Sequence, residues 1–430
     1  MGSVMYYDIL VVGGGPAGCR AAELAASKGL KVALFEKDEL GGVCLNYGCI
    51  PTKTLLYAAR LYDHMKYEAA MFGITADHLN FNPAILWKRK DRTVERLRAA
   101  LRHRLSKVGV NIIKAQVTRI FDCDSYIQVV AGREYYAGKN LIFATGGRPR
   151  IPDIDGIVSG FHSGIVVTPQ EILSRPVIPQ SLTIIGGGCI GIEFAAFYQS
   201  AGSAVTIVEQ TGKLGGDIEA RLASFLLSNL KKRNVSCHFD SQVISISGNR
   251  IILDNGTELK GDMVLLACGW EAVEFPNVDL SNNSHFFVVG DASGKMFLAP
   301  VAEFEAEAAV RKILGETSVI YHNSMIPRMI FANPEVAFWG KTLAAARLND
   351  SAAYETFQPL TISSRYAIEH PQENGFLIRV FSGAHELIGL HIAGTGASEL
   401  LTTFCLQQNS SIVLHPSLNE IWKYETGKIF

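Results

Sequence analysis

Two stretches of the chain repeat one pattern of apolar and polar positions. In the first stretch an apolar run at residues 9–12 predicts a strand, a turn follows, and a helix is predicted from Pro16 to about Lys28. A second apolar strand ends at Glu36. The second stretch, SLTIIGGGCIGIEFAAFYQSAGSAVTIVEQ, repeats this order and closes its second strand at Glu209. The pattern predicts an α/β fold with two Rossmann-like units.

Both copies carry three glycines between the first strand and the helix. The glycines are Gly13, Gly15 and Gly18 in the first copy and Gly186, Gly188 and Gly191 in the second. In each copy the acidic residue follows the first glycine by 23 positions. The first glycine permits a tight turn, the second lets main-chain N–H groups reach a pyrophosphate, the third packs helix on strand, and the acid binds ribose hydroxyls. One such motif is weak, but two in matching context predict that the chain binds two dinucleotides.

Two further patterns predict elements outside the repeat. Residues 87–109 are strongly basic, with Leu97, Leu101 and Leu105 at helical spacing. This favours an amphipathic helix with a solvated face over a nucleic-acid surface. Towards the end of the chain, FLIRVFSG and ELIGLHIAG are typical of two hairpin strands. They predict a C-terminal α+β domain built on an antiparallel sheet.

Composition and charge exclude several classes of protein. Hydrophobic residues make up 48% of the 430 positions and charged residues 19%, as in a well-buried globular protein of several domains. The 40 basic and 41 acidic side chains nearly cancel, so neither nucleic acid nor an anionic membrane is an expected partner. The sequence shows no signal peptide and no apolar run long enough to cross a bilayer, so we expect a cytoplasmic protein.

Cys44 and Cys49 are the one close pair among the eight cysteines of the sequence. A structural disulfide, half of a metal site and a redox dithiol are the three interpretations of that spacing. A zinc site needs a second ligand pair at short spacing, and the sequence has none, so no metal is expected. A disulfide across so short a loop would stabilise the fold by only about 2 kcal/mol. A redox dithiol is therefore the favoured interpretation.

The residues around the pair favour the same interpretation. Glycines before each cysteine allow another group to approach the backbone closely, and Pro51 predicts a helix that begins beside Cys49. The N–H groups and dipole of a helix N-terminus stabilise a thiolate. A flavin converts between dithiol electrons and nicotinamide hydride, so we expect FAD in the first site, beside the cysteines, and a nicotinamide in the second. Glu209 favours NAD over NADP, with Lys213 as the one nearby basic residue.

Several motifs together resemble the pyridine nucleotide–disulfide oxidoreductase family. They are the two glycine fingerprints, GGVCLNYGCIPTK at 41–53, ATGGRP at 144–149, VVGDASG at 288–294, NPEVAFWGKT at 333–342, GLHIAGTGASELL at 389–401 and the C-terminal HPSLNEIWKYETGKIF. The resemblance extends along nearly the whole chain. Within the family, the cysteine motif and Glu209 are most similar to the dihydrolipoamide dehydrogenase branch.

The resemblance implies roles for individual residues. Cys49 would lie against the flavin as the charge-transfer thiolate, and Cys44 would exchange with the substrate. Lys53 and Glu193 would form an ion pair near the flavin. The remaining implied cofactor contacts are Ala115, Thr145, Gly146, Asp291 and Ala299 for FAD, and Val243 and Gly269 for NAD.

A catalytic dyad is implied at His415 and Glu420. His415 would deprotonate a dithiol substrate, and Glu420 would orient the imidazole. In the family this dyad comes from the partner subunit, so the resemblance implies a homodimer with shared active sites. The implied substrate is dihydrolipoamide, on the lipoyl arm of an acyltransferase or carrier protein of a 2-oxo acid dehydrogenase or glycine-cleavage complex.

The resemblance also implies the domain limits. They are an FAD domain at 1–147 and 273–320, an NAD domain at 148–272, and an interface domain at 321–430. Some positions depart from the family pattern: Trp270 stands where arginine is usual, Pro300 where histidine is common, and Cys189, which we expect to pack, where many relatives have an aromatic residue.

Other functions fit the sequence less well. Mercuric reductase is disfavoured because Cys405 has no neighbouring cysteine, and glutathione reductase is disfavoured by Glu209. A related disulfide or metal-ion reductase that uses NADH or NADPH stays an alternative, as does a flavoprotein without turnover that serves as a structural component.

Overall fold

The computed structural model describes residues 5–123, 125–273, 283–317 and 325–407. The chain divides into two compact units. The first comprises Met1–Pro51, Lys90–Arg150 and Trp270–Ile320, and the second comprises Thr52–Arg89, Ile151–Gly269 and Tyr321–Phe430. The segment at 52–89, which the sequence analysis assigned to the FAD domain, groups with the second unit, and the domain limits stay a prediction.

The described residues form 22 strands and 12 α-helices. The strands are β1 (Met5–Val12), β2 (Val32–Glu36), β3 (Asn111–Lys114), β4 (Val117–Asp122), β5 (Ile127–Ala131), β6 (Glu134–Phe143), β7 (Gly147–Pro149), β8 (Val166–Val167), β9 (Ser181–Ile185), β10 (Ala204–Val208), β11 (Ser236–His238), β12 (Val243–Ser247), β13 (Arg250–Leu253), β14 (Glu258–Lys260), β15 (Met263–Leu266), β16 (Trp270–Ala272), β17 (Phe286–Val288), β18 (Arg328–Ile330), β19 (Val336–Gly340), β20 (Tyr354–Pro359), β21 (Phe376–Phe381) and β22 (Leu387–Ala393). The helices are α1 (Pro16–Ser27), α2 (Gly42–Tyr47), α3 (Cys49–Asp63), α4 (Pro83–Lys107), α5 (Ile157–Ser163), α6 (Pro169–Ser174), α7 (Cys189–Ser200), α8 (Ala220–Lys232), α9 (Ala299–Ile313), α10 (Leu343–Arg347), α11 (Ser364–Glu369) and α12 (Ala397–Gln407).

A seven-stranded sheet forms the centre of the first unit. Its order is β3-β2-β1-β6-β5-β4, with β17 also paired to β6. The pairings β3–β2, β2–β1, β1–β6 and β6–β17 are parallel, and β4–β5 and β5–β6 are antiparallel. Leu10, Ala33 and Leu141 are fully buried in it. The continuous apolar runs of β1 and β2 reflect a parallel sheet that is covered on both faces.

Helix α1 follows the first glycine turn and packs on α9. Gly15 is its N-terminal cap, Pro16 is its first residue, and Lys28 ends it. Proline suits the first helical position because that N–H has no partner within the helix. Arg20 forms an ion pair with Glu307 of α9, with Nε–Oε1 at 2.7 Å. The ion pair helps to fix the helix that carries the first glycine turn.

The second unit contains a parallel sheet of five strands in the order β11-β10-β9-β15-β8. Ile184 of β9 pairs with Ile207 of β10 on one side and with Leu265 of β15 on the other. Helix α7 runs from the second glycine turn, and nine of its twelve residues are buried. A small antiparallel sheet, β12-β13-β14, lies in the same unit. The repeat predicted from the sequence is therefore confirmed as β1-α1-β2 and β9-α7-β10.

The C-terminal part of the second unit is an antiparallel sheet in the order β18-β19-β22-β21-β20. Strands β21 and β22 pair as a hairpin, which confirms the prediction from their alternating pattern. Trp339, Leu390 and Leu401 belong to the buried cluster where helix α12 covers this sheet. The predicted α+β character of this region is confirmed.

Helix α4 confirms one prediction and corrects a detail of it. The basic segment is a helix of 25 residues. Leu105 is fully buried and Val94 nearly so, but Leu97 is 37% exposed, so the buried stripe does not follow the predicted leucines throughout. Within the residues that the structure describes, no helix is long and apolar enough to span a membrane.

Candidate functional site

The first glycine turn connects β1 to α1. Gly13 has a φ of +104°, and a Cβ there would overlap the carbonyl oxygen of Ala144. A Cβ on Gly18 would overlap the carbonyl oxygen of Gly13, which explains why helix and strand can meet only at a glycine. Beyond the turn, Glu36 Oε2 accepts a hydrogen bond from the N–H of Gly14 at 2.7 Å. The acid is therefore held directly against the turn.

The second turn connects β9 to α7 with the same geometry. Gly186 has a φ of +109°, and a Cβ on Gly191 would overlap its carbonyl oxygen. Glu209 Oε2 accepts from the N–H of Gly187 at 2.7 Å, and its Oε1 accepts from the N–H and hydroxyl of Thr211 at 2.8 and 2.7 Å. The ammonium group of Lys213 donates to the carbonyl of Ile218 at 3.0 Å.

Both turns fit the pyrophosphate of a dinucleotide. Gly15 and Gly188 cap α1 and α7 without a side-chain hydrogen bond, and neither helix has an acidic residue in its first turn. The N–H groups at such helix ends attract an anion. A Cβ on Gly188 would meet no atom within 4 Å and would instead fill the space over the N–H groups. Glycine at this position keeps that space open.

A cavity of about 270 Å³ lies beside Glu36 in the first unit. It is lined by side chains from β2, β3, α4 and the loops beside them: Glu36, Asp38, Leu40, Arg102, Ser106, Val110, Ile112 and Lys114. The apolar residues form one part of the lining, and Arg102 and Lys114 add positive charge near the acid. The sequence analysis did not identify this cavity, because its residues are dispersed between positions 36 and 114.

Cys44 lies on α2, a six-residue helix that is tied to the first glycine turn. The N–H of Gly41, which precedes α2, donates to the carbonyl of Gly14 at 2.7 Å. A Cβ on Gly42 would lie 2.8 Å from the Cα of Gly15, so the two backbones touch. Cys44 is half-buried. Any group bound at the first turn therefore has the Cys44 helix as its neighbour.

Cys49 is the first residue of α3, as predicted. The 3₁₀ turn Gly290–Ser293, which carries Asp291, packs on α1, where a Cβ on Gly290 would lie 3.1 Å from the Cβ of Ala17. Burial raises the pKa of Asp291 to about 6, and electrostatic interaction with Cys49 and then Glu305 adds to the rise. Cys49 and Asp291 both belong to the first unit.

Lys53 and Glu193 form an ion pair in the second unit, with Nζ–Oε2 at 2.6 Å. The pair is mostly shielded from solvent, with side-chain exposures of 20% and 7%. Glu193 Oε1 also accepts from the N–H of Phe331 at 3.1 Å, and Lys53 Nζ lies 4.8 Å from the centre of the Phe331 ring. Both groups of the pair are thus fixed by a third residue, and their position near a flavin stays a prediction.

The other predicted contact residues occupy loops and element ends. In the first unit, Thr145 Oγ1 donates to the carbonyl of Val273 at 3.2 Å, and Gly146 has a φ of +80°. Ala115 follows β3, and Ala299 is the first residue of α9. In the second unit, Val243 begins β12 and is 6% exposed, and Gly269 has a φ of +101° with no atom within 4 Å of a Cβ. Their nucleotide contacts stay predictions.

The structure shows where two of the residues that depart from the family pattern lie. Pro300 is buried in the first turn of α9, where proline is tolerated. Cys189 is exposed as the first residue of α7, so the expectation that it simply packs there is wrong. Its position next to the open space at Gly188 explains the exposure. His415 and Glu420 lie outside the described residues.

Sequence reasoning missed a buried network at the far end of α3. Asp63 is fully buried and pairs with Arg233, which follows α8. Its Oδ2 also accepts from Ser200 at the end of α7 and from Asn333, both at 2.9 Å. Three helix ends of the second unit therefore meet at one carboxylate. No motif signals it, because the partners are 137, 170 and 270 positions away in sequence.

Comparison with known families shows the family to which the chain belongs. Residues 7–275 match the model of the pyridine nucleotide-disulphide oxidoreductases, and residues 326–424 match the dimerisation domain of the same family. The chain belongs to this family. It is an oxidoreductase of the flavoprotein disulfide type, and enzymes of the dihydrolipoyl dehydrogenase group use FAD and NAD. The match to the dimerisation domain supports assembly as a homodimer.

The chain is similar to several dihydrolipoyl dehydrogenases. One from Acholeplasma laidlawii is 34% identical over 328 residues, which cover 72% of this chain and 96% of that relative. One from Mycoplasma pneumoniae is 29% identical with 97% of each chain covered. One from Chlorobaculum tepidum is 30% identical, with 96% and 95% covered.

Solved structures show the same fold. LpdA from Mycobacterium tuberculosis superimposes with a TM-score of 0.82 at 21% identity, covering 97% of this chain and 98% of that chain. A Cu(II) complex of the HOCl-induced flavoprotein disulfide reductase RclA from Escherichia coli superimposes with a TM-score of 0.80 at 21% identity, covering 98% and 100%. At this identity the likeness concerns the fold alone.

Proposed function

We propose that this protein is a dihydrolipoyl dehydrogenase that oxidises dihydrolipoamide with NAD⁺. The substrate would be the lipoyl arm of an acyltransferase or carrier protein of a 2-oxo acid dehydrogenase or glycine-cleavage complex in the cytoplasm. The observation that carries the proposal is the attachment of the Cys44 helix to the first glycine turn. This attachment supports a flavin site that has the cysteine pair as its neighbour.

The cysteine pair would act as a disulfide that cycles with its dithiol. One thiolate of the substrate attacks Cys44 Sγ, so that a mixed disulfide forms and Cys49 leaves as a thiolate. The second substrate sulfur then displaces Cys44, and the oxidised lipoyl group departs with two electrons left on the cysteines. The N-terminal position of Cys49 on α3 stabilises its negative charge.

Other residues would move protons and hold charge. His415 of the partner subunit, oriented by Glu420 of the partner subunit, would take the thiol proton. The Lys53–Glu193 pair, fixed by Phe331, would orient the Lys53 ammonium for the role near the flavin that the family resemblance implies. When bound, FAD would accept the two electrons of the dithiol and NAD⁺ would carry them away as hydride.

The second turn supports NAD over NADP. Glu209 faces the turn through Gly187, and its negative charge would repel a 2′-phosphate. Among the described residues Lys213 forms no ion pair with Glu209, and its ammonium group donates instead to the carbonyl of Ile218. The Glu209 carboxylate is therefore the proposed acceptor for the ribose hydroxyls.

Turnover assays test the proposal directly. Purified protein should reduce NAD⁺ with free dihydrolipoamide, and Cys44→Ser should lower that rate by at least about a thousandfold, because the sulfur that is attacked is missing. The variant should retain as much bound flavin per subunit as the wild type, because Cys44 is not needed to hold the cofactor. Turnover that survives in Cys44→Ser would remove the role assigned to this sulfur.

Two parallel assays separate the alternatives. Oxidation of NADH or NADPH with glutathione disulfide or Hg²⁺, in the absence of lipoamide activity, would favour a related reductase. Bound flavin with no activity on any of these substrates would favour a structural component. Cys405→Ser, which changes a buried cysteine remote in sequence from the pair, serves as the control and should retain full activity.

A further inference from the structure

The outer face of α4 carries basic side chains that the proposed reaction does not use. This helix holds nine lysine and arginine residues and two acidic ones, in a chain whose 40 basic and 41 acidic residues nearly cancel. Arg92, Arg96, His103 and Lys107 are exposed. Their spacing of four, seven and four positions puts them along one side of the helix. We call these four residues the basic ridge.

The inner basic residues of α4 behave differently from the ridge. Arg98 forms an ion pair with Glu39 at 3.2 Å, and Arg104 forms one with Glu23, also at 3.2 Å. Within the described part of the chain, the four ridge side chains have no ion pair. The helix is thus anchored by ion pairs on its inner side and presents exposed basic side chains, with Glu95 as an exposed acidic neighbour, on its outer side.

Helix α4 is also joined to the cysteine helix. Arg98 Nε donates to Asn46 Oδ1 at 3.0 Å, and Asn46 lies two residues after Cys44 on α2. The Asn46 amide in turn donates to the carbonyls of Leu40 and Gly42 at 3.0 and 2.9 Å. All these residues belong to the first unit. The ridge therefore lies on the helix that supports the Cys44 segment.

We propose that the basic ridge docks an acidic surface of the protein that carries the lipoyl group. This proposal rests on the proposed function. A lipoyl arm reaches Cys44 only when its carrier comes close, and a row of positive charge attracts and orients an acidic carrier. From Arg92 to Lys107 the ridge extends about 22 Å along the helix axis, which is enough to contact one face of a small domain. Free dihydrolipoamide has no such surface and does not need the ridge.

A comparison of two substrates tests the ridge. At pH 7 Arg92, Arg96 and Lys107 carry the charge of the ridge, and the double variant Arg92→Glu with Arg96→Glu reverses it at two of these three positions. With a reduced, recombinant lipoyl domain of net negative charge, its KM should rise about tenfold at low ionic strength while kcat is unchanged. With free dihydrolipoamide, both constants should equal those of the wild type. The wild-type KM for the domain should also rise with added NaCl, and that of the variant should not.

A second charge reversal is the matched control. Arg119→Glu with Arg133→Glu introduces the same change in net charge at two exposed positions of the first unit, on β4 and on the turn after β5. These residues are not on α4. The control should leave the KM for the lipoyl domain within about twofold of the wild type. An equal rise in both double variants would show a general charge effect and overturn the proposal.

Direct binding distinguishes failure of the ridge from failure of the proposed function. Calorimetric titration of the lipoyl domain needs no turnover, so it decides the role of the ridge even if dihydrolipoamide is not oxidised. Equal affinity of the wild type and the ridge variant would overturn the proposal. So would a ridge variant that loses binding only to a fluorescent oligonucleotide, or one that changes only the sedimentation coefficient, because the ridge would then face nucleic acid or a second copy of the chain.

Discussion

The two glycine turns share one backbone geometry. We call the repeated unit of strand, glycine turn, helix and acid the frame. The first glycine has a φ of +104° at Gly13 and +109° at Gly186. The carboxylates of Glu36 and Glu209 each accept a main-chain N–H of their own turn at 2.7 Å. This agreement in geometry accompanies sequences that share few residues beyond the glycines and the acid. The frame is therefore set by the positions that touch the turn and tolerates change elsewhere.

Beyond the acid, the two copies share one more main-chain hydrogen bond, and after it their structures differ. Gly41 donates to the carbonyl of Gly14 at 2.7 Å, and Gly215 donates to that of Gly187 at 2.8 Å. After this bond the first copy continues into α2 and its cysteine, while in the second copy Glu219 caps α8. The comparison teaches that the shared part suits any dinucleotide. The redox chemistry would lie in the few residues that follow Gly41.

Substitution of the third glycine of each turn should have the largest effect and tests whether the two turns act independently. A methyl group on Gly18 or on Gly191 would overlap a carbonyl oxygen of its own turn, at a cost of about 1–3 kcal/mol. We expect Gly18→Ala to be purified without visible flavin absorbance. Gly191→Ala should keep the flavin and lose at least about tenfold in NAD affinity, as measured by titration.

Gly188→Ala separates binding from folding in that experiment. Its φ is −73°, and an added Cβ has no atom within 4 Å, so its melting temperature should equal that of the wild type. Its NAD affinity should still fall, because the methyl group fills the space over the helix N-terminus. If Gly191→Ala also loses the flavin, the two turns are not independent and the comparison fails.

The sequence predicted the frame well because the frame depends on local constraints. The positive φ of Gly13 and the helix start at Pro16 need only neighbouring residues, and a glycine or proline signals them directly. The Asp63 network and the cavity beside Glu36 could not be predicted, because they depend on side chains brought together from distant positions. The Lys53–Glu193 pair was anticipated through the resemblance to a family and not through its own residues.

Substitution of the acid that follows each glycine turn should have the second-largest effect. Glu209→Ala removes the acceptor for the ribose hydroxyls in the second turn, and we expect the KM for NAD⁺ to rise about tenfold, or 1.4 kcal/mol. Discrimination against NADP⁺ should fall as well. The matched variant Glu36→Ala should weaken flavin retention and leave NAD affinity of the flavin-loaded protein unchanged. A change in NAD affinity of equal size in both variants would contradict the assignment of one cofactor to each turn.

The smallest effect concerns Asp291, on the 3₁₀ turn that packs against α1 in the first unit. In the apoprotein, burial raises the pKa of Asp291 from 3.8 to about 6, with Cys49 as the second cause. The unfolded chain then releases this proton at lower pH than the folded protein, so ionisation destabilises the fold progressively between pH 3.8 and about 6 and fully above it. Asp291→Asn cannot ionise and should gain stability relative to the wild type over that range.

Melting temperatures of the two apoproteins between about pH 4 and pH 8 measure this gain. The difference should be near zero at the acid end and should reach a plateau on the order of 1 kcal/mol above pH 7, because partial solvent exposure screens the effect. Glu316→Gln, at an exposed position after α9, should show no such dependence. A constant difference at every pH would mean that Asp291 acts through its hydrogen bonds or shape. Asp291 would then contribute no titrating charge to the first unit, and this difference from the second glycine turn would be removed.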